Sequence, residues 1–132
     1  MQQEKDFIQR EIQRLTLLLN KLIGKALGLD IDGFDQGIQN IESDLKSEFD
    51  LSLREILEME NSELIAHIRE LDEQHLEKIA ELISILIKNP KTENRNQLAK
   101  KGIVLLYFLD SHSKTFSLKR MELKNTLRDR TD

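Results

Sequence analysis

The stretch Leu76–Lys88, LEKIAELISILIK, decides how the rest of the chain is read. At 100° per residue, Leu76, Ile79, Ala80, Leu82, Ile83, Ile85, Leu86 and Ile87 sweep an apolar arc of about 220°. Glu77, Glu81, Ser84 and Lys88 hold the opposite edge, with Lys78 as an outlier. A helix lying on a surface needs a stripe of only about 100°, so this one calls for neighbours on several sides. Asp72 is placed to cap its start. It stops at Asn89-Pro90, because proline has no N–H for the next helical bond.

Towards the amino terminus, Asn61 or Ser62 caps a helix that turns Leu64, Ile65, Ile68 and Leu71 inward. Before it, Ser52-Leu-Arg-Glu55 has the capping-box spacing and opens a short helix through Met59. From Phe34 to Phe49, the residues Phe34, Ile38, Ile41, Leu45 and Phe49 occupy an arc of about 80°. That pattern fits a helix on a surface, or a seam against one partner helix. The preceding LDIDGFD is a turn. The first helix spans Phe7 to Leu27, with Ile8, Ile12, Leu15, Leu19, Leu22, Ile23 and Ala26 on one face. Arg10, Arg14, Lys21 and Lys25 form a second, basic stripe beside it, and Gly28 is placed to cap its end.

Towards the carboxyl terminus, KTENRN is a loop. Gln97 to Leu109 is a helix carried by Leu98, Ile103, Leu105, Leu106 and Leu109. Gly102 lets it approach a neighbour closely, at ~1 kcal/mol against alanine. The segment DSHSK ends it. Thr115 or Ser117 then caps a last helix with Leu118, Met121, Leu123 and Leu127 as its apolar positions. Phe116 either staples that helix to the core, the favoured reading, or stands exposed as an anchor for a partner. With no β-alternation and no hairpin dipeptide, the chain reads as all-α, a compact bundle of five to seven helices.

A chain of 132 residues makes one domain, 1–132, with amino-terminal helices in 1–71 and a helical subdomain in 72–132. The absence of cysteine removes disulfides, thiolate nucleophiles and Cys-based metal sites, and fits a reducing cytoplasm. MQQEKDFIQREIQR lacks the apolar run of a signal peptide, and the longest apolar run, Ile103–Leu109, is far short of a membrane span. A soluble, cytoplasmic protein is expected.

Charge is segregated: residues 1–29 carry net +2, residues 30–87 net −12 and residues 88–132 net +6. Such a chain neutralises itself on folding or pairs with a second copy. The acidic middle would repel a phosphate backbone, which argues against nucleic acid.

KDFIQREIQRLTLLLNKLIG, residues 5–24, resembles the start of an uncharacterised bacterial all-helical family, a domain of unknown function. LYFLDSHSKTFSLKRMELKNTL, residues 106–127, resembles that family's tail, where a tetratricopeptide-like helix precedes a Lys-Thr-Phe-Ser segment and a last helix. The resemblance covers about a third of the chain. It implies an all-helical cytosolic bacterial protein with a tetratricopeptide-like carboxy-terminal part over residues 72–130, and no activity. The Trp and Gly–Tyr landmarks of a true tetratricopeptide array are missing.

Candidate chemistry is sparse. His67 lies one turn from Glu63 and Glu70, and His75 follows Asp72 and Glu73, the Asp-x-x-His spacing of di-metal bundles. Those bundles need two such motifs with further inward carboxylates, and here a solvated charged face accounts for the same residues. His112 reads as a polar loop residue, and no nucleophile elbow accompanies it. Counting a calcium loop from Asp30 puts Phe34, Asp35 and Ile41 where an acidic or amide group, glycine and glutamate are required. The expected assignment is therefore no catalytic, cofactor or metal residue.

The function expected is a non-enzymatic protein-interaction or scaffold module that self-associates or takes another protein partner. The candidate surface is the basic stripe Arg10, Arg14, Lys21 and Lys25 together with the seam Phe34, Ile38, Ile41, Leu45 and Phe49. The alternative is peripheral binding to a membrane surface by the basic amphipathic first helix. A third reading is a metal-dependent enzyme using His67, His75 and nearby carboxylates.

Overall fold

The computed structural model describes residues 2–130, which form seven helices and no strand. They are α1 (Gln2–Leu27), α2 (Phe34–Phe49), α3 (Leu53–Glu58), α4 (Asn61–Ile68), α5 (Glu73–Leu86), α6 (Arg95–His112) and α7 (Leu118–Arg128).

Helix α5 is the post that its arc demands. It packs against α1, α6 and α7, and eight of its fourteen residues are buried. Asp72 caps it as its position suggests, accepting from the Gln74 N–H at 2.9 Å. The helix ends before Pro90, and a tight turn follows in which the Thr92 hydroxyl donates to the Leu86 carbonyl at 2.6 Å. Helix α1 runs parallel to α5, since His75 meets Ile12 and Thr16 while Lys78 meets Asn20. Helix α2 lies against α1 and α3, while α3 and α4 both pack on α6. One apolar cluster takes side chains from all seven helices.

Two glycines permit close approach. A β-carbon on Gly37 would stand 2.2 Å from Leu29 Cδ2, and one on Gly102 would stand 2.9 Å from Leu127 Cδ1 and 3.2 Å from Ile83 Cγ2. Gly102 is thus the point where α5, α6 and α7 meet, as its place in an apolar helix suggests. Gly28 takes no left-handed cap; its N–H is bonded to the carbonyls of Gly24 and Lys25 at ordinary negative φ.

Several local readings are corrected. Neither Asn61 nor Ser62 caps α4: Glu60 precedes its first residue, no side chain caps it, and Asn61 Oδ1 instead accepts from Lys101 Nζ at 2.9 Å. The capping box of Ser52 and Glu55 forms in full. Helix α6 runs through Asp110, Ser111 and His112, because those polar side chains bond within or beside it. The Ser111 hydroxyl donates to the Tyr107 carbonyl, His112 Nδ1 bonds the Phe108 carbonyl at 2.9 Å, and Asp110 pairs with Lys124. Ser117, not Thr115, caps α7, accepting from the Arg120 N–H at 3.2 Å. Leu118 and Met121 face outward, and Phe116 is 76% exposed rather than stapled to the core.

Candidate interaction surface

The seam on α2 is spent inside the chain. Phe34, Ile41, Leu45 and Phe49 are buried, and Ile38 is half-buried against the same core. Apolar periodicity asks equally for a core and for a partner, and α1 with α3 satisfies it here.

The basic stripe on α1 is partly neutralised by the acidic middle. Arg14 bonds Glu11 on its own helix and Glu48 on α2, the latter at 2.8 Å, and Lys25 stands 3.7 Å from Asp44. Hydrogen bonding to Arg14 lowers the pKa of both Glu11 and Glu48 from the ordinary carboxylate value. The Arg14 guanidinium is raised by the same bonds, Glu11 contributing most. Arg10 and Lys21 remain exposed on the outer face, where Leu17 and Phe7 are exposed with them. Between α2 and α3, Lys46 bonds Glu55 at 3.1 Å, which raises the lysine and lowers the carboxyl.

His75 does not lie on a solvated charged face. It is buried, with Nε2 bonded to the Ile12 carbonyl at 2.9 Å and near Thr16 Oγ1 at 3.2 Å. A carbonyl only accepts, so the ring carries its proton on Nε2. Its ring meets Phe49 edge-on, with centroids 5.6 Å apart. His75 is therefore a structural clasp joining α1, α2 and α5. His67 is half-buried on α4, and among the described residues no group of three His, Asp or Glu side chains is arranged to hold a metal ion. The Asp30 carboxylate accepts from the Gly33 N–H at 2.8 Å, as a turn requires. An open surface depression is lined by Pro90, Thr92, Arg95, Asp129 and Arg130.

The least expected centre is Arg120. Its side chain is buried beneath the 113–117 segment, with Nε 3.5 Å from Asp110 and 3.9 Å from Glu77. Nη2 donates to the Thr115 carbonyl. The Ser117 hydroxyl donates to Glu77 at 2.7 Å, so Glu77 holds both the cap and the arginine. Among the described residues Nε has no hydrogen-bond partner, and its charge faces Asp110 and Glu77. A lone arginine in a basic helix gives no sequence signal of burial, because long cations ordinarily sit in water.

This pinned frame presents apolar side chains outward. Phe116 stands beside the cap, and Leu118 and Met121, 65% and 44% exposed, follow one turn apart on α7. Tyr107 of α6 is 48% exposed, with Lys124 and Arg128 of α7 each 5.6 Å from its ring centroid. Arg128 also donates to the Tyr107 hydroxyl. Lys114 is exposed in the segment before α7, and Lys119 is held by Glu81 of α5 at 3.1 Å. Helices α6 and α7 run antiparallel here, since Gly102 meets Leu127 while Asp110 meets Arg120 and Lys124.

No protein family, curated protein or solved structure matches this chain. Among the described residues, no helix is long and apolar enough to cross a membrane.

Proposed function

We propose that this protein is a non-enzymatic interaction module whose docking surface is the outer face of α6 and α7. The observation that carries this reading is the patch of Tyr107, Phe116, Leu118 and Met121, large apolar side chains left in water on a rigid frame. Grouped exposed apolar residues with a polar or charged rim are the usual mark of a partner site. The buried Arg120 supports this, because it orders the very segment that displays Phe116 and so lowers the entropy lost on binding. The expected chemistry of such a module is recognition, in a cytoplasmic setting.

The test is capture from a cell extract by the immobilised wild-type chain and by a Leu118→Asp/Met121→Asp variant. Both positions are exposed, so the variant keeps the wild-type helical signal and melting temperature. Proteins retained by the wild type and lost by the variant support the reading. An identical set on both chains overturns it.

A second reading is favoured by one observation on α1. Leu17, 69% exposed, stands among Arg10, Arg14 and Lys21 on the outer face, which is the composition of a membrane-surface helix. Co-sedimentation with anionic vesicles at low salt tests it, and no binding there eliminates it.

A further inference from the structure

We infer that the partner of the α6–α7 face is a second copy of this chain, whose acidic edge around α4 lies over the basic side of that face. This inference rests on the docking surface proposed above and adds what covers it. The first ground is the placement of charge around α6. Lys101 reaches the Met59 carbonyl and Asn61 at the start of α4, whereas Asp110 bonds Lys124 of α7. Nine residues at 100° each put those two side chains about 180° apart on the helix. The acidic edge and the basic side therefore flank α6 on opposite sides.

The second ground is that the acidic edge is left unanswered within the chain. Glu60, Glu63, Glu70 and Glu73 are exposed and form no ion pair among the described residues. On the other flank Lys114 is exposed and forms no ion pair among the described residues, whereas Lys119 is held by Glu81 and Arg128 bonds Tyr107. Between the flanks α6 carries exposed Tyr107 with Val104 and Phe108, each half-buried against the core, an apolar centre for a contact with charged edges.

A two-fold axis running along α6 exchanges the flanks. It lays each acidic edge over the partner's basic side, twice, and closes the assembly as a dimer. An axis across α6 would set acid over acid and is disfavoured by repulsion. The polar contacts then set register and orientation, and the apolar patch supplies the burial.

The experiment is sedimentation velocity of the full chain up to ~0.5 mM at low and high salt. The wild type is expected to pass from monomer to dimer mass, less readily at high salt. Glu63→Lys/Glu70→Lys and Lys114→Glu/Arg128→Glu, each checked for wild-type helicity, should each weaken the dimer at least about tenfold. An equal mixture of the two variants should recover dimer mass, because every reversed charge then faces its opposite.

A wild type that stays monomeric at low salt overturns the inference, as does a mixture that fails to recover. Mass that grows without limit overturns the two-fold closure. If the wild type is monomeric while the Leu118→Asp/Met121→Asp variant still sheds proteins from extract, the docking surface stands and the second copy falls.

Discussion

Helices α2 and α7 begin from the same kind of sequence and end in opposite situations. Each sets apolar residues among charged ones, at steps of four, three, four and four from Phe34 on α2 and of three, two and four from Leu118 on α7. On α2 Phe34, Ile41, Leu45 and Phe49 are buried and Ile38 is half-buried against the core. On α7 only Leu123 and Leu127 are covered among the apolar residues, while Leu118 and Met121 meet water and a buried arginine takes an inward position. The difference is one of neighbours. Helix α2 is caught between α1 and α3, whereas α7 closes the bundle on α5 and α6 and keeps a free outer side.

The sharpest way to break the comparison is to place one charge on each stripe. Ile41→Asp buries a carboxylate in a fully covered position with no partner, and we expect a loss of about 3–5 kcal/mol, enough to unfold much of the population. Met121→Asp on α7 should change stability by no more than about 0.5 kcal/mol. Chemical denaturation of both variants reads the contrast; equal losses would mean that α7 is covered after all.

A smaller effect separates the ways the two helices are held. Arg120→Met leaves Glu77 and Asp110 without their shared cation and frees the Thr115 carbonyl. Both carboxylates are about a third exposed, so the loss should be about 1–3 kcal/mol rather than that of a fully buried charge. Amide exchange should quicken over residues 113–118, with α2 unaffected. Uniform quickening would show that the arginine supports the whole bundle.

Smaller still is the contrast between two glycines. Gly24 has nothing within 4 Å of an added β-carbon, so Gly24→Ala should stabilise by about 0.5–1 kcal/mol through helix propensity. Gly102→Ala should gain less or lose, since its methyl would press Leu127 of α7. Melting temperatures decide the order.

The smallest effect is in acid. Glu11, Glu48 and Glu55 have folded pKa values below the unfolded carboxylate value, so their contribution is present above that value and is lost as pH falls through the folded one. A shallow decline in melting temperature below about pH 4 is expected, and Arg14→Ala should flatten part of it. An unchanged decline would show that the α1–α2 ion pairs hold nothing.

Much of the architecture could be read in advance from local chemistry. The breadth of the apolar arc over 76–87, the narrow arc of 34–49, Asp72, the Ser52–Glu55 box and Pro90 act over one or two turns, so their consequences follow from spacing. What escaped reading depends on residues far apart in the chain. His75 is buried because Ile12, sixty-three residues earlier, offers a carbonyl, and α6 continues through Asp110 beside Lys124. Phe116 is outside, next to a segment tied down by Arg120, Glu77 and Ser117 from three different places in the chain.

The amino-acid order alone settled that this chain is helical, where most of its helices lie and that it carries its charge in blocks, since propensity, capping and periodicity are near-neighbour effects. Which apolar faces became interior and which stayed in water was settled only when the helices packed. Burial is a property of neighbours, and the apolar residues of α2 were turned to the core while two of the four on α7 were left in water.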